Sequence, residues 1–368
     1  MVLGYYVVIC IISFICCVIF YLKLRSNYSF LFPLIFIMAF LSHMSYIFMA
    51  LSKNVEEALL ANKILYIGGC YLQLVGLMLI ISICNIHLPK WLHFMMTAFS
   101  TLIYGFALTA GYLPIFYKSV DIEVRNGITV LIKEYGPLHI LFYIEIILYL
   151  LITIGVLIYG WVKRPDVSRR NLMIAAVMQI FSIFAYFVGR SITKEIEWMA
   201  LADLVDEIGF LLIMDRVMLY KVDSLVSSSI LEDGSFGYVS LDLNKKYLSS
   251  TDAVKRFIPK LAGNHADSEI EDDELREVIG KWIDDFKANN VSTTHTYRRN
   301  GSIYLVRISD LYDGRRKRGY LLEISDDTAH QQHLEGIERY NKNLNAELMA
   351  KTKLIRELRE WHKNKDEL

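Results

Sequence analysis

The 368 residues carry 39 basic and 39 acidic side chains, and 54% of them are hydrophobic. Balanced charge excludes a strongly basic nucleic-acid binder, and this apolar content excludes one ordinary globular domain. The five cysteines (Cys10, Cys16, Cys17, Cys70, Cys84) have neither CxxC spacing nor a secreted framework, so they read as small core or lipid-facing residues.

A bilayer core of about 30 Å takes roughly 20 apolar residues per helix. Stretches of that kind lie near 2–22, 30–51, 61–84, 91–113, 138–162, 171–192 and 197–221. The first has no basic residue before it and is followed by Lys23 and Arg25, the pattern of a signal anchor with the N-terminus outside. Lys163, Arg164, Arg169 and Arg170 crowd the loop between the fifth and sixth stretches, which the positive-inside rule places in the cytoplasm. On the opposite side Lys53, Lys118, Arg125, Lys133 and Lys194 sit among compensating acids. Seven spans then leave the C-terminal half cytoplasmic. The final Lys365-Asp366-Glu367-Leu368 spells an ER-retention signal, but its receptor reads it in the ER lumen, so on a cytosolic tail it is coincidence.

Ionisable residues inside spans are costly and face the bundle interior. At about 1.5 Å rise per residue, His43, Glu145 and Asp203 lie at matched depth below the outer ends of their helices, with Arg190 near the outer end of the sixth. These side chains, with Asp206, are candidates for an outward-facing cavity that takes a small polar or zwitterionic ligand. The alternative is polar glue between helices, with Arg190 snorkelling to the interface. Asp206 and Glu207 point about 100° apart on a helix, so at least one meets a partner or takes a proton. Tyr46, Tyr66 and Tyr71 fit either the same side or plain packing.

From 235 to 327 the pattern changes to short strands around a helical block. Strands are predicted over 236–241, 245–248, 291–299, 302–311 and 318–325, with a short helix over 251–261. A longer amphipathic helix over 272–288 carries Leu275, Val278, Ile279, Trp282, Ile283 and Phe286 at helical spacing. Asn300-Gly301 and Asp313-Gly314 mark hairpin turns, because these pairs tolerate positive φ. The basic run 315–318 reads as a solvated edge or a lipid contact.

The entry 231–234, the strand pair around Asp242 and the exit Gly319 to Thr328, ending Asp326-Asp327-Thr328, resemble a PAS domain. Seven spans followed by such a domain resemble the histidine-kinase N-terminal seven-transmembrane family. The resemblance implies a bacterial sensor that continues into a kinase, a diguanylate cyclase or an HD-type phosphodiesterase. Ser249, Ser250 and Thr251 stand where PAS sequences commonly place an Asn, and the short connection 262–271 shortens the wall that encloses a cofactor. No cysteine in this half allows a flavin adduct. His265 and His295 are candidate haem ligands in principle and read as solvated histidines in this context.

No catalytic or metal motif is present, whether a phosphoacceptor with an ATP-binding domain, HExxH or a phosphate-cradling glycine loop. His330, His333 and His362 lack kinase context. A retinal lysine is missing from the middle of the seventh stretch, which has Asp203, Asp206 and Glu207 instead. No cofactor is expected.

The last segment repeats apolar residues by threes and fours. With Leu334 at heptad position a, Leu348 and Ile355 share a, and Ile337, Leu344 and Leu358 share d, leaving Asn341 at a and Lys351 at d. A buried Asn at a favours a parallel in-register dimer. The reading is therefore an all-α seven-helix membrane bundle (1–223), a small cytoplasmic α+β PAS-like domain (224–328) and a C-terminal coiled-coil helix (329–368). It describes a receptor in contact with membrane lipid, a parallel homodimer that answers an unidentified small molecule and signals to a downstream effector. A transporter is the rival; the odd span count and the lack of a visible inverted repeat argue against it.

Overall fold

The computed structural model describes residues 2–23, 29–192, 196–217, 236–262, 264–289, 294–299, 301–313 and 316–366. The side chains of 190, 215–217, 255, 262, 289, 313, 316, 358 and 360–366 fall outside that description. The linker 224–235, with its 231–234 entry, Arg25, Lys194, Lys221, Asn300, Gly314, Arg315 and the last two residues also lie outside it. The chain divides into two compact units: Met1–Leu225 with Lys246–Ser249 and Gly263–Ile270, and the remainder.

The first unit holds α1 (Val2–Lys23), α2 (Leu31–Leu51), α3 (Val55–Ile83), α4 (Lys90–Leu108), β1 (Tyr117–Arg125), β2 (Ile128–Tyr135), α5 (His139–Lys163) and α6 (Arg169–Phe184). A π-helical turn, Ala185–Gly189, leads into the short α7 (Arg190–Ile192), and α8 (Trp198–Val217) follows. Among the described residues six helices are long and apolar enough to cross a membrane, α1 to α5 and the stretch Arg169–Gly189. α8 has the length, at 20 residues, but carries Asp203, Asp206 and Glu207.

Two helix bounds differ from the sequence reading for local reasons. α3 begins at Val55, not near 61, because Asn54 Oδ1 accepts from Glu57 N at 2.9 Å and Glu57 Oε2 accepts from Lys53 N at 2.8 Å. This reciprocal cap starts the helix above the apolar run. α4 stops at Leu108, five residues early, in a turn that needs Gly111 at φ +85°. α2 and α3 approach closely at Gly68, where a Cβ would stand 1.8 Å from Ser42 Oγ.

Where a plain loop was expected between α4 and α5, β1 and β2 form a hairpin. Its antiparallel register runs from Tyr117↔Tyr135 to Arg125↔Ile128. Asn126 and Gly127 turn at φ +50° and +77°, the two positive values a type I′ turn requires. The hairpin covers one end of the bundle. Ile128 packs in a cluster with Val2, Tyr46, Ala50, Ala200 and Leu204, and Thr129 Oγ1 donates to Ser52 O at 2.6 Å. Its outer face is charged, with Lys118 on Glu134 and Arg125 on Glu123, which blunts exposed edges against further strand pairing.

At the opposite end, Phe20, Phe36, Leu79, Leu172, Ile213 and Met214 belong to one large apolar cluster. Arg164 grips Asp166 through Nε at 2.9 Å and Nη2 at 2.8 Å, and Asn85 Nδ2 donates to the same carboxylate at 3.1 Å. The Arg164 guanidinium therefore holds the Asp166 carboxyl below its usual range. Arg169 lies over the Trp161 ring at 5.6 Å, so two members of the basic loop are engaged locally.

In the C-terminal half a five-stranded antiparallel sheet has the order β4-β3-β7-β6-β5, with β3 Phe236–Asp242, β4 Tyr247–Ser250, β5 Thr294–Arg299, β6 Ser302–Asp313 and β7 Arg316–Asp326. Between β4 and β5 lie α9 (Asp252–Phe257), α10 (Pro259–Ala262) and α11 (Asp273–Asn289). Leu275, Ile279, Ile283 and Phe286 form the buried stripe of α11, and Val239, Leu241, Val306, Ile308, Leu322 and Ile324 are among the buried residues of the sheet. Thr251 exchanges two bonds with Tyr238, Thr251 N to Tyr238 O and Tyr238 N to Thr251 Oγ1, each 2.9 Å. His295 is not a freely solvated histidine; it stacks on Trp282 at 5.3 Å, and burial pushes its imidazole below the ordinary value. Lys317 bonds Asp310 Oδ1 at 2.6 Å and lies over Tyr320. The last element is α12, Thr328–Asp366, 39 residues.

Gly127→Val should lower the thermal unfolding midpoint of the purified protein. A Cβ there meets no atom within 4 Å, so the cost of about 1–2 kcal/mol is the left-handed backbone alone. An unchanged midpoint would mean the hairpin turn contributes nothing to the stability of the bundle.

Candidate functional site

The buried ionisable groups are set by the helices that carry them, and His43, Glu145 and Asp203 do not converge on one cavity. His43 of α2 is 1% exposed and its Nε2 lies 3.0 Å from the carbonyl of Ala200 on α8. A carbonyl only accepts, so Nε2 carries the proton. Glu145 of α5, also 1% exposed, lies beside Ser100 of α4 and Cys70 of α3. Neither of its oxygens has a well-formed hydrogen bond, because the Ser100 hydroxyl is shared with Tyr149 at 3.1 Å. These two residues occupy the polar-glue positions weighed in the sequence.

The acids of α8 diverge as a helical step of about 100° requires. Asp206 Oδ2 accepts from Ser182 Oγ of α6 at 3.5 Å. Glu207, fully buried, accepts from Cys17 Sγ of α1 at 3.6 Å, with Ser13 alongside. Asp203 differs. It lines a cavity of ≈ 160 Å³ that runs inward from the hairpin end, together with Tyr46 of α2, Asn62 and Tyr66 of α3, Lys133 of β2, and Glu197 just before α8. Tyr71 turns away, its hydroxyl donating to Thr101 of α4 at 3.0 Å. The Arg190 side chain lies outside the described residues.

The cavity is built by three local features. Gly69 of α3 leaves room where a Cβ would first meet Phe142 of α5 at 3.4 Å. The π-helical turn adds a residue to one turn of α6 and presents Tyr186 and Phe187 to the space; such turns frequently mark functional sites. Gly189, the end of the π-helical turn, packs against Trp198, which lies between the lining residues Glu197 and Met199, and a Cβ there would stand 2.4 Å from Trp198 Cγ.

Behind the wall runs a hydrogen-bond chain that the sequence reading missed. Lys133 Nζ donates to Asn62 Oδ1 at 3.0 Å and to Tyr117 Oη at 3.4 Å. Asn62 Nδ2 donates to Tyr117 Oη at 3.2 Å, and Tyr117 Oη donates to Tyr66 Oη at 2.8 Å. Tyr66 Oη lies 3.2 Å from His139 Nε2; with its own oxygen accepting from Tyr117, Tyr66 donates its O–H to that nitrogen. Burial raises the Tyr117 phenol above the usual range, so it stays a donor. The alternation of 128–135 was the available signal, because it places Lys133 on a strand face and not among loop charges. No group of three His, Cys, Asp or Glu fit to hold a metal occurs among the described residues.

Tyr117→Phe should destabilise the protein by about 1–3 kcal/mol, because Tyr66 and Asn62 each lose a buried partner. Thermal unfolding of the purified variant checks this, and a midpoint equal to wild type would show that the chain carries no net stability.

In the C-terminal half, Asp326 Oδ1 accepts from Thr328 N at 3.0 Å and from Thr328 Oγ1 at 2.5 Å. Thr328 Oγ1 in turn accepts from Ile303 N at 2.9 Å. One hydroxyl thus pins the first residue of α12 to the start of β6.

Compared with known families, residues 5–216 match the model described as the N-terminal 7TM region of histidine kinase. No curated protein matches the chain.

Proposed function

Because the chain belongs to the family of the N-terminal 7TM region of histidine kinase, matched over residues 5–216 of its 368, we propose that it is a membrane sensor input module whose signal leaves through α12. The observation that carries the reading is the state of that helix. It is continuous over 39 residues, and Leu334, Ile337, Leu344, Leu348 and Ile355 are each exposed by two-fifths or more. An apolar seam of this kind, attached rigidly to a sheet, suits pairing with a second copy. The Leu358 side chain lies outside the described residues. A downstream effector, attached or separate, would read the pair.

The strand order of the second half supports a PAS-like relay. Numbered within that half it is 2-1-5-4-3, with all three helices between its second and third strands, and the Asp326-Asp327-Thr328 junction opens the exit helix. α8 is proposed as the seventh span. Its acids turn inward, and Ile208 and Leu212 are exposed on the remaining face, so the surface it offers to lipid is apolar.

In the proposed orientation the N-terminus and the hairpin are outside and the C-terminal half is cytoplasmic. On a background without native cysteines, a cysteine at the exposed Ser119 should react with an impermeant maleimide added to intact cells. One at His87, in the α3–α4 loop, should react only after lysis. Ser168 is unsuited to this, being buried as the cap of α6, where its Oγ accepts from Asn171 N. The reverse labelling pattern would invert the orientation.

Parallel pairing of α12 is tested in the full chain. A cysteine at Leu344 should crosslink two copies in native membranes, and Leu344→Asp, combined with cysteines elsewhere along the seam, should abolish crosslinking. Asn341→Leu should tighten association while widening the range of oligomers formed, since a polar a residue specifies state at a cost in stability. Failure of every seam cysteine to crosslink would leave α12 as a single amphipathic helix.

A further inference from the structure

The loop between α5 and α6 is engaged on two sides. Toward the bundle, Arg164 Nη1 donates to the carbonyl of Asn85, just past the end of α3, at 3.0 Å, in addition to its grip on Asp166. Val167 is buried in the apolar cluster of Phe20 and Ile213. The loop therefore follows the helices. On its other side it meets 264–270, a segment that falls between α10 and α11 in the chain yet belongs, with Lys246–Ser249, to the same compact unit as the membrane helices. Ala266 N donates to Pro165 O at 3.0 Å, and Ser168 Oγ donates to the Asp267 carboxylate. Ser168 is also the cap of α6, its Oγ accepting from Asn171 N at 3.2 Å.

Asp267 bonds in two directions. Its side chain takes the cap of α6, while its backbone N donates to Tyr247 O of β4 at 2.8 Å and Tyr247 N donates to Ser268 O at 2.8 Å. The backbone turns there at φ +66°, a conformation that aspartate adopts more readily than most residues. One residue thus joins the first turn of a membrane helix to the edge strand of the five-stranded sheet. From its cap α6 runs through Gln179 and Ser182 to the π-helical turn, all of which contribute to the cavity wall.

We propose that 264–270 is a docking strap, that the α5–α6 loop is the surface built to receive it, and that the Ser168–Asp267 bond is the latch that makes β4 follow α6. The chemistry of the two sides matches. The loop offers a bare carbonyl at Pro165 and a hydroxyl at Ser168, and the strap supplies an N–H and a carboxylate on the adjacent residues Ala266 and Asp267. A hydroxyl donating to a carboxylate is charge-assisted, roughly twice as strong as a neutral bond, and Ser168 and Ala266, at 2% and 3% exposed, are shielded from competing water. This connection is separate from the covalent path through 218–235. It holds whatever ligand the cavity takes and whatever effector lies downstream.

The test uses the full chain in native membranes, without its native cysteines and with a protease site placed in the linker 224–235. Cysteines at Pro165 and Ala266, which keep the backbone carbonyl and N–H, should join under mild oxidation. After the linker is cut, the two fragments should then stay together at the mass of one chain on a non-reducing gel and part on reduction. Ser168→Asp keeps a capping carboxylate on α6 but sets it against Asp267, and it should slow this crosslinking about tenfold, the loss of one charge-assisted bond. Adding Asp267→Asn to Ser168→Asp should restore the rate, because the amide donates to the new carboxylate and Asn tolerates positive φ. Hydrogen exchange reads the mechanical link: Asp267→Ala should speed exchange of the amides at 169–172, on a helix to which it does not belong. Fragments that part without reduction would overturn the docking. Crosslinking unaffected by Ser168→Asp, or not rescued in the double variant, would overturn the latch, and unchanged exchange at 169–172 would overturn the link from α6 to β4.

Discussion

Everything in the membrane unit is arranged around the need to keep ionisable side chains out of hydrocarbon. His43, Glu145, Asp206 and Glu207 are all buried, and each is turned toward a neighbouring helix, where a carbonyl, hydroxyl or thiol lies within reach. α8 is the helix most constrained by this. Its backbone accepts from α2, its Asp206 from α6 and its Glu207 from α1, so three neighbours fix its rotation through polar groups. Such contacts average only about 0.6 kcal/mol each. Their value is directional: rotating α8 by one residue would carry at least one carboxyl group toward the exposed face that Ile208 and Leu212 occupy.

Asp203 is the exception, and its environment explains why the cavity lies where it does. The first turns of α8 meet the end of the bundle under the hairpin, where no helix fills the space that Gly69 and the π-helical turn leave open. The hairpin covers this end through apolar packing and the Thr129 bond to Ser52 O. It also supplies Lys133 to the cavity wall and Tyr117 to the hydrogen-bond chain that ends at His139, the first residue of α5. A group bound against Lys133 therefore touches a hairpin that is itself bonded to α3 and, through that chain, to α5. This is a physically continuous route from ligand to helices, which any account of coupling needs.

Apolar run length made the helices legible in the sequence, and period-2 alternation with Asn-Gly and Asp-Gly turns made the second sheet legible to within three residues at almost every strand end. The α1, α2 and α5 bounds follow directly from where lipid-compatible residues stop. What the sequence reading lost shared a cause: treating everything between spans as loop. Asn126-Gly127 carries the same turn signal as Asn300-Gly301, and the residues on either side alternate, yet the hairpin lies between two membrane helices and so was read for charge alone. With it went Tyr117 and Lys133. Matching His43, Glu145 and Asp203 by depth below their helix ends fixes only one coordinate. The angular position of each side chain depends on how a helix is rotated by its neighbours, and that is set by packing such as the close approach of Gly68 to Ser42, which no spacing rule contains.

The exit helix poses the reverse problem, because its geometry was plain in the heptads while its anchoring was not. α12 would extend about 58 Å at 1.5 Å per residue, and a helix of that length amplifies any looseness at its base. The Asp326–Thr328–Ile303 triangle removes that looseness: with both the hydroxyl and the amide of Thr328 engaged, α12 follows β6 and β7 as one body and does not pivot on a free peptide. The proposed seam is tuned in the opposite sense. Asn341 and Lys351 interrupt it with polar groups that cost stability, so a paired state would be held by a small margin, and a small margin is what allows a modest differential affinity at the other end of the chain to move a population. A fully apolar seam would pair more tightly and respond less, which gives a physical reason for two polar residues to stand among leucines and isoleucines.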